Sequence, residues 1–266
     1  MLLDFHKLGS WKWLLLGICL LTALFLLLPI VFIVALSFGN SRWLIFPPPG
    51  WTLQWYQELL SDPRWLEAAF TSARIGVVVT IISVVLGFLA SLALVRGTFP
   101  GRSILRAFFL TPMVLPVAII GVALYAAFLR VGLSGTFIGF VIAHVIVALP
   151  FAIITISGAL ETFDPAIEDA AVLCGASPWE ARFRVTMPAI SHGLFSAAIF
   201  SFLISWDEVV LSIFMASPTL QTLPVRVWST LRQDLTPVVA AASALFVVLT
   251  LLLMAAAALI RKGKSR

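Results

Sequence analysis

Charge is scarce in this chain. Of its 266 residues only 11% are Asp, Glu, Lys or Arg, while 61% are hydrophobic, which excludes an ordinary soluble domain. There are two cysteines and three histidines. Cys19 falls in an apolar run and Cys174 in a polar stretch, so neither a disulfide framework nor a metal-ligand set is expected. A G-x-x-x-x-G-K-S/T phosphate loop is missing, and no Ser/His/Asp arrangement stands in reach of chemistry. The chain is therefore read as no enzyme, with no cofactor of its own. It also lacks a clear inverted repeat of the sort common in secondary transporters.

Apolar runs are what it has in quantity. A membrane-crossing helix takes about 20 apolar residues, and six segments qualify: Leu14–Leu36, Phe70–Val95, Ala107–Leu129, Phe137–Leu160, Leu194–Ala216 and Val238–Ile260. The first is too long for a signal peptide and is read as a retained span. The expectation is an all-α, polytopic membrane protein with six transmembrane helices, one membrane domain over residues 1–266 with its core at about 67–260. Orientation follows the excess of Lys and Arg on the cytoplasmic side. With both termini inside, Lys7, Lys12, Arg96, Arg102, Arg106, Arg182, Arg184, Arg261, Lys262, Lys264 and Arg266 are cytoplasmic, eleven of the 17 basic residues. Arg42, Arg64, Arg74, Arg130, Arg226 and Arg232 fall outside or at the outer interface. Topology thus accounts for the net charge of +5, and nucleic acid is not an expected partner.

The outer loops carry their own signals. Pro47-Pro48-Pro49-Gly50 breaks the chain, and Thr52 is positioned to cap a short helix through Leu60. Trp43, Trp51, Trp55, Tyr56 and Trp65 suit an aromatic belt at the headgroup layer. Between the last two spans, Leu220 to Thr236 holds another short helix starting near Pro224.

The polar loop at residues 161–193 is the exception to this apolar background. Asp164 suits an N-cap and Pro165 the first helical position. Residues Ala166 to Cys174 favour helix, and Gly175 supplies a left-handed stop. Ser177, Pro178 and Glu180 then form a second start with a capping box, and Pro188 is expected to end that helix. Two short helices meeting at Gly175 make an elbow, with Asp164, Glu168 and Asp169 near the positive end of the first.

Within the spans, polar residues are few. Asp207 and Glu208 interrupt the fifth, roughly 15 Å from its outer end at 1.5 Å per residue, where each charge costs about 2.5–3.5 kcal/mol. Such a pair is expected to face a wet cavity, a partner chain or a cation. Ser201, Ser205, Glu208 and Ser212 recur at helical spacing and so share one face, a stripe able to line a route through the membrane. His144 in the fourth span reads as a helix–helix hydrogen bond. Pro112, Pro116 and Pro150 are expected to kink their spans. A competing class, a secondary transporter using Asp207, Glu208 and His144 as a proton or cation relay, needs neither an elbow nor a partner.

The elbow resembles the coupling motif of bacterial binding-protein-dependent ABC importer permeases. That pattern is Glu-Ala-Ala, three residues, Gly, and Leu-Pro ending thirteen residues after the Gly. Here Asp169-Ala170-Ala171, Gly175 and Met187-Pro188 stand in those positions, with Asp169 for the usual Glu and Met187 for Leu. The resemblance implies a type I ABC importer permease fold in the bacterial inner membrane. It implies docking of Glu168, Asp169, Ala170, Ala171, Gly175, Ala176, Ser177 and Pro188 on cytoplasmic ATPase subunits, two in number, which bind the ATP and magnesium. It also implies a second homologous permease and a periplasmic solute-binding protein. The run from Ser205 to Ser243, and His144 ahead of Leu149-Pro150-Phe151, are similar to the second permease of spermidine/putrescine importers. That likeness includes two acidic residues where Asp207 and Glu208 stand and implies a polyamine as solute; with the stripe of Ser201, Ser205 and Ser212, the pair is the expected route. Related permeases assigned to opines, phosphonates, thiamine or ferric iron are the alternatives.

Overall fold

The computed structural model describes residues 11–233 and 236–264. Lys7, Asp234, Leu235 and Arg266 lie outside the described residues, as do the side chains of Arg261, Lys262 and Lys264. Every regular element described is helical. The chain divides into two compact units, Met1–Asp62 with Thr230–Leu249, and Pro63–Ser229 with Thr250–Arg266.

The second unit is built on three helices packed against one another: α3 (Pro63–Arg96), α6 (Phe137–Thr162) and α10 (Ser191–Asp207). Lipid is as apolar as leucine, so close packing and interhelical hydrogen bonds, not burial from water, hold such helices together. Gly87 lets α3 and α6 touch, since a Cβ there would lie 2.9 Å from that of Ala152. Ser157 donates to Ser91 at 3.1 Å, and Ser91 donates to the Ile153 carbonyl at 3.1 Å. At the end of the pair, Arg96 Nη2 donates to the carbonyls of Leu160 (3.2 Å) and Phe163 (2.7 Å). A cation thereby closes the C-terminus of α6, where orphan carbonyls gather.

The third expected span is not one helix. It divides into α4 (Arg102–Val114) and α5 (Val117–Val131), bent by 102°. Pro116 has no N–H and forces Leu115 out of the helical region, to ψ 139°, as a residue before proline generally is. Pro112 and Pro150, by contrast, sit inside α4 and α6 without ending either. The fifth expected span is also broken, into α10 and α11 (Val210–Met215). Between α6 and α10 run the short helices α7 (Pro165–Leu173), α8 (Pro178–Ala181) and α9 (Met187–Ala189). The helix α12 (Leu223–Gln233) begins one residue before Pro224, and its Leu223 N–H donates to Ser72 of α3 at 2.8 Å.

In the first unit, α1 (Trp11–Ser37) buries only Ser37, whose hydroxyl donates to the Val34 carbonyl and lies 2.6 Å from the Tyr56 hydroxyl. With its proton committed, Ser37 accepts from Tyr56. The helix α2 (Gln54–Ser61) starts later than Thr52 caps directly, and Thr52 Oγ1 takes the Gln54 N–H at 3.1 Å. Trp43 and Trp51 are exposed, as belt residues would be, but Trp55 and Trp65 are buried. Trp55 donates its indole N–H to the Gly39 carbonyl at 2.6 Å, and Trp65 lies under the Arg226 guanidinium at 5.7 Å. These two rings are therefore packing residues. The last helix, α13 (Pro237–Lys264), contains the sixth expected span.

Among the described residues three helices, α1, α3 and α6, are long and apolar enough to cross a membrane, or up to five spans if each bent pair counts as one. Substituting Gly87→Val should destabilise the chain by about 1–3 kcal/mol through overpacking. Gly17→Val, where a Cβ meets nothing within 4 Å, is the comparison. Thermal unfolding of the purified protein in detergent measures both, and equal midpoints would remove Gly87 from the packing argument.

Candidate functional site

Two constructions stand out in the second unit. The first is the elbow between α6 and α10. Asp164 accepts the Ala166 N–H at 2.9 Å, with Pro165 opening α7 as expected. The end of α7 is closed from the backbone. The Gly175 N–H bonds the Val172 carbonyl at 2.9 Å, and the Ala176 N–H bonds that of Ala171 at 3.1 Å. This paired closure is the Schellman motif, and it needs the φ of +98° that Gly175 adopts. Ser177 and Glu180 form the reciprocal capping box, at 3.3 and 3.0 Å. The Ser177 N–H and hydroxyl, with Arg184 nearby, hold the Glu180 carboxyl below the usual carboxylate range. The charge of the box is therefore retained above that range and lost as pH falls through the lowered value.

Pro188 does not end the second arm. The backbone widens into a π turn over Arg182–Thr186, with the Met187 N–H reaching the Arg182 carbonyl, and continues into α9. A proline cannot donate to the carbonyl four residues back, and the wider turn absorbs that missing bond. The direction changes at Ile190, where the arm meets α10 at 74°.

Glu168 binds the two arms to each other. Its Oε1 accepts from Arg182 Nε at 3.2 Å and its Oε2 from the buried Thr186 hydroxyl at 3.0 Å. Its side chain is only 13% exposed, so this carboxylate turns into the elbow and away from its surface. Arg182 also stacks over Trp179 at 5.1 Å; Trp179 stacks on Phe183, and Phe183 meets Phe88 of α3 at 6.2 Å. Asp169, Ala170, Gly175, Ser177 and Pro188 are exposed, and Ala171 and Ala176 half-buried. Leu173 is 88% exposed, and Ile167 and Trp179 at least half so. Apolar side chains thus stand on the outer face of the elbow, with the exposed carboxylates of Asp164, Asp169 and Glu180 around them.

The second construction is the break between α10 and α11. Glu208 leaves the helix with ψ 107°. Its carboxylate accepts the Leu211 N–H at 2.8 Å, and its carbonyl accepts the Ser212 hydroxyl at 2.7 Å. Side chains so replace the intrahelical bonds that the break removes. His144 of α6, fully buried, bridges both pieces: Nδ1 lies 2.9 Å from the Ser205 hydroxyl and Nε2 lies 3.0 Å from that of Ser212. The imidazole makes the helix–helix hydrogen bonds expected of it. Ser205 and Ser212 meet at His144, and both of them and Ser201 are buried inside the chain. Asp207 is exposed and Glu208 half-buried, so the acidic pair lies at the edge of the unit. Among the described residues no group of three His, Cys, Asp or Glu side chains could hold a metal.

The sequence gives neither Arg96 nor Thr186 a structural role. Arg96 follows directly on a span, where a basic residue reads as a topology marker, and Thr186 has no pattern that points to Glu168.

The chain matches the family described as binding-protein-dependent transport system inner membrane component over residues 83–266. It is 31% identical over 231 residues to the putrescine transport system permease protein PotI of Escherichia coli (strain K12), covering 84% of this chain and 82% of that protein. The spermidine/putrescine transport system permease protein PotC of Haemophilus influenzae is 30% identical over 217 residues, with 82% of this chain and 84% of that one covered. The trehalose transport system permease protein SugB of Mycobacterium tuberculosis is 30% identical over 205 residues, covering 76% and 75%. Among solved structures, a bacterial ABC transporter that imports the acidic polysaccharide alginate superposes with a TM-score of 0.73 at 17% identity, covering 97% of this chain and 96% of that one. The inward-facing MetNI methionine ABC transporter gives 0.65 at 18% identity, covering 77% and 100%. At such identities these two likenesses establish the fold.

The inward role of Glu168 is testable. Glu168→Ala should speed amide exchange across 165–176 about tenfold, the scale of one lost charge-assisted hydrogen bond. Asp169→Ala should leave that exchange unchanged. Equal protection in the two variants would show that Glu168 does not tie the arms together.

Proposed function

The chain belongs to the binding-protein-dependent transport system inner membrane components, and from that premise we propose that it is one of two permeases forming the route of an ATP-driven importer of polyamines. It is a single membrane domain of six spans, its termini and elbow cytoplasmic in the bacterial inner membrane. A periplasmic binding protein delivers the solute to the outer loops, including residues 222–236, of which 234 and 235 lie outside the described residues. Two cytoplasmic ATPase subunits bind ATP and magnesium; this chain forms the route and leaves hydrolysis to them.

The observation that carries the reading is the elbow. A loop between spans has no need of a Schellman closure, a complete capping box and an internal ion pair while leaving Leu173, Ile167 and Trp179 facing outward. Exposed apolar groups on a rigid frame fit a partner's groove. Closure of the ATPases around ATP pushes on α7. Glu168 passes the displacement to Arg182 and Thr186, and the Trp179–Phe183–Phe88 contacts carry it into α3. Arg96 ties the same end of α3 to α6, so the bundle tilts as a body.

The polyamine half of the proposal rests on Asp207 and Glu208, together with the named solutes of PotI and PotC. Two carboxylates in an apolar span, one of them exposed, are costly unless something polar faces them. A polycation passing between two permeases loses water, and transient pairing with this pair offsets part of that loss. The named solute of SugB marks a neutral sugar as the alternative cargo.

Copurification tests the assembly: the intact chain should bring down an ATPase and a second permease. Gly175→Pro removes a donor and forbids a φ of +98°, so it should lower uptake at least about tenfold at matched membrane levels, because proline is held near −65°. Asp169→Lys should act in the same direction. Asp207→Asn with Glu208→Gln, which keeps an acceptor for the Leu211 N–H, should lower putrescine uptake about tenfold, equivalent to about 1.4 kcal/mol, without loss of assembly. Unchanged putrescine kinetics in that double variant would take the pair out of the route.

A further inference from the structure

We infer that His144 is the positioning residue of the broken span, held as the neutral ring protonated on Nε2, and that it sets how Asp207 and Glu208 leave the helix. Each group along this contact has a fixed number of protons to give. The Ser212 hydroxyl has one proton, and the Glu208 carbonyl 2.7 Å away can only accept it. The other contact of Ser212, with His144 Nε2 at 3.0 Å, must then be filled by an N–H from the ring. The ring is fully buried, with two hydroxyls and no carboxylate as its hydrogen-bond partners, so it is held neutral with one N–H; Nδ1 is bare and accepts the Ser205 hydroxyl at 2.9 Å. The chain of donors runs Ser205, His144, Ser212, Glu208 carbonyl, each link with one proton. The opposite tautomer would point an N–H at Ser205, whose carbonyl also faces the ring, but it would draw the Ser212 proton off the Glu208 carbonyl and leave that carbonyl bare in a span.

Position gives this chain its consequence. Ser205 stands before the break, Ser212 after it, and His144 on α6 opposite both. One ring therefore pins both pieces to a third helix. Only two residues, Glu208 and Val209, separate the pieces, and Asp207 closes the first. The ring is buried and touches no solute; it acts through the two serines. This inference rests on the reading that the acidic pair lies on the solute route, but its geometry can be tested apart from transport.

The test uses the assembled transporter in membranes with ¹⁵N-labelled histidine. His6 and His192 are subtracted with the spectrum of His144→Gln. The expected signature of His144 is a pyridine-type Nδ1 and a pyrrole-type Nε2; a reversed or doubly protonated ring overturns the inference. In putrescine uptake at matched membrane levels, Ser212→Ala removes two links and should cost about tenfold, and Ser205→Ala removes one and should cost about threefold, on the scale of one unpaired buried group. The reverse order overturns the inference. His144→Gln, an amide with one donor and one acceptor, should recover most of the uptake that His144→Leu loses; equal loss in both counts against it. Ser83→Ala, which deletes a buried hydroxyl with no hydrogen-bond partner, calibrates the cost of a cavity alone. If no ATPase copurifies and the parent chain moves no putrescine, the proposed function fails while the ring's tautomer still decides this inference.

Discussion

Backbone N–H and C=O groups in an apolar slab have no water to turn to, and each one left unpaired costs several kcal/mol. Two of the expected spans are nevertheless broken. At Glu208 the break is sustained because side chains take over what the backbone lost: the Glu208 carboxylate on the Leu211 N–H, and the Ser212 hydroxyl on the Glu208 carbonyl. A carboxylate is thus part of the helix framework as well as a charge in the span. Removing it would cost the break its cap, and closing the break would remove the exposed corner at Asp207. The buried imidazole of His144 holds the arrangement from the neighbouring helix.

The elbow answers the same constraint in a polar setting. Each terminus inside it is closed from within: α7 by Asp164 and the Gly175 turn, α8 by the Ser177–Glu180 box. The missing N–H of Pro188 is absorbed by the π turn. Packed aromatic rings and a partly buried ion pair deform little, so a push on one arm reaches α3 through Glu168, Arg182, Trp179, Phe183 and Phe88. The surface left over is the apolar one, which is the reason a docking partner enters the proposed function.

Much of this could be read in the linear chain where the physics is local. Asp164-Pro165, Ser177-Pro178 with Glu180, and Gly175 carry their capping geometry in their own side chains and φ angles, and each lies where the spacing puts it. Proline was less decisive. Pro112, Pro116 and Pro150 look alike in sequence, yet only Pro116 sits at a break, because neighbours decide whether a lost hydrogen bond is tolerated. The tryptophans divide in the same way: Trp43 and Trp51 face outward, while Trp55 and Trp65 found a carbonyl and a guanidinium. The resemblance places Glu168 on a docking surface, beside the motif's acidic position, and only the fold brings Thr186 and Arg182 to its two oxygens.

The amino-acid order by itself determined the all-helical, membrane-spanning class, the elbow with its two starts and its glycine stop, and the site of the acidic pair. These follow from runs of apolar residues and from bonds closed within three or four positions. Tertiary structure alone decided that Glu168 turns inward and that Ser205 and Ser212 meet His144. Those outcomes join residues 14 to 68 positions apart, and no periodicity encodes a hydrogen bond whose partner arrives only when another helix packs beside it.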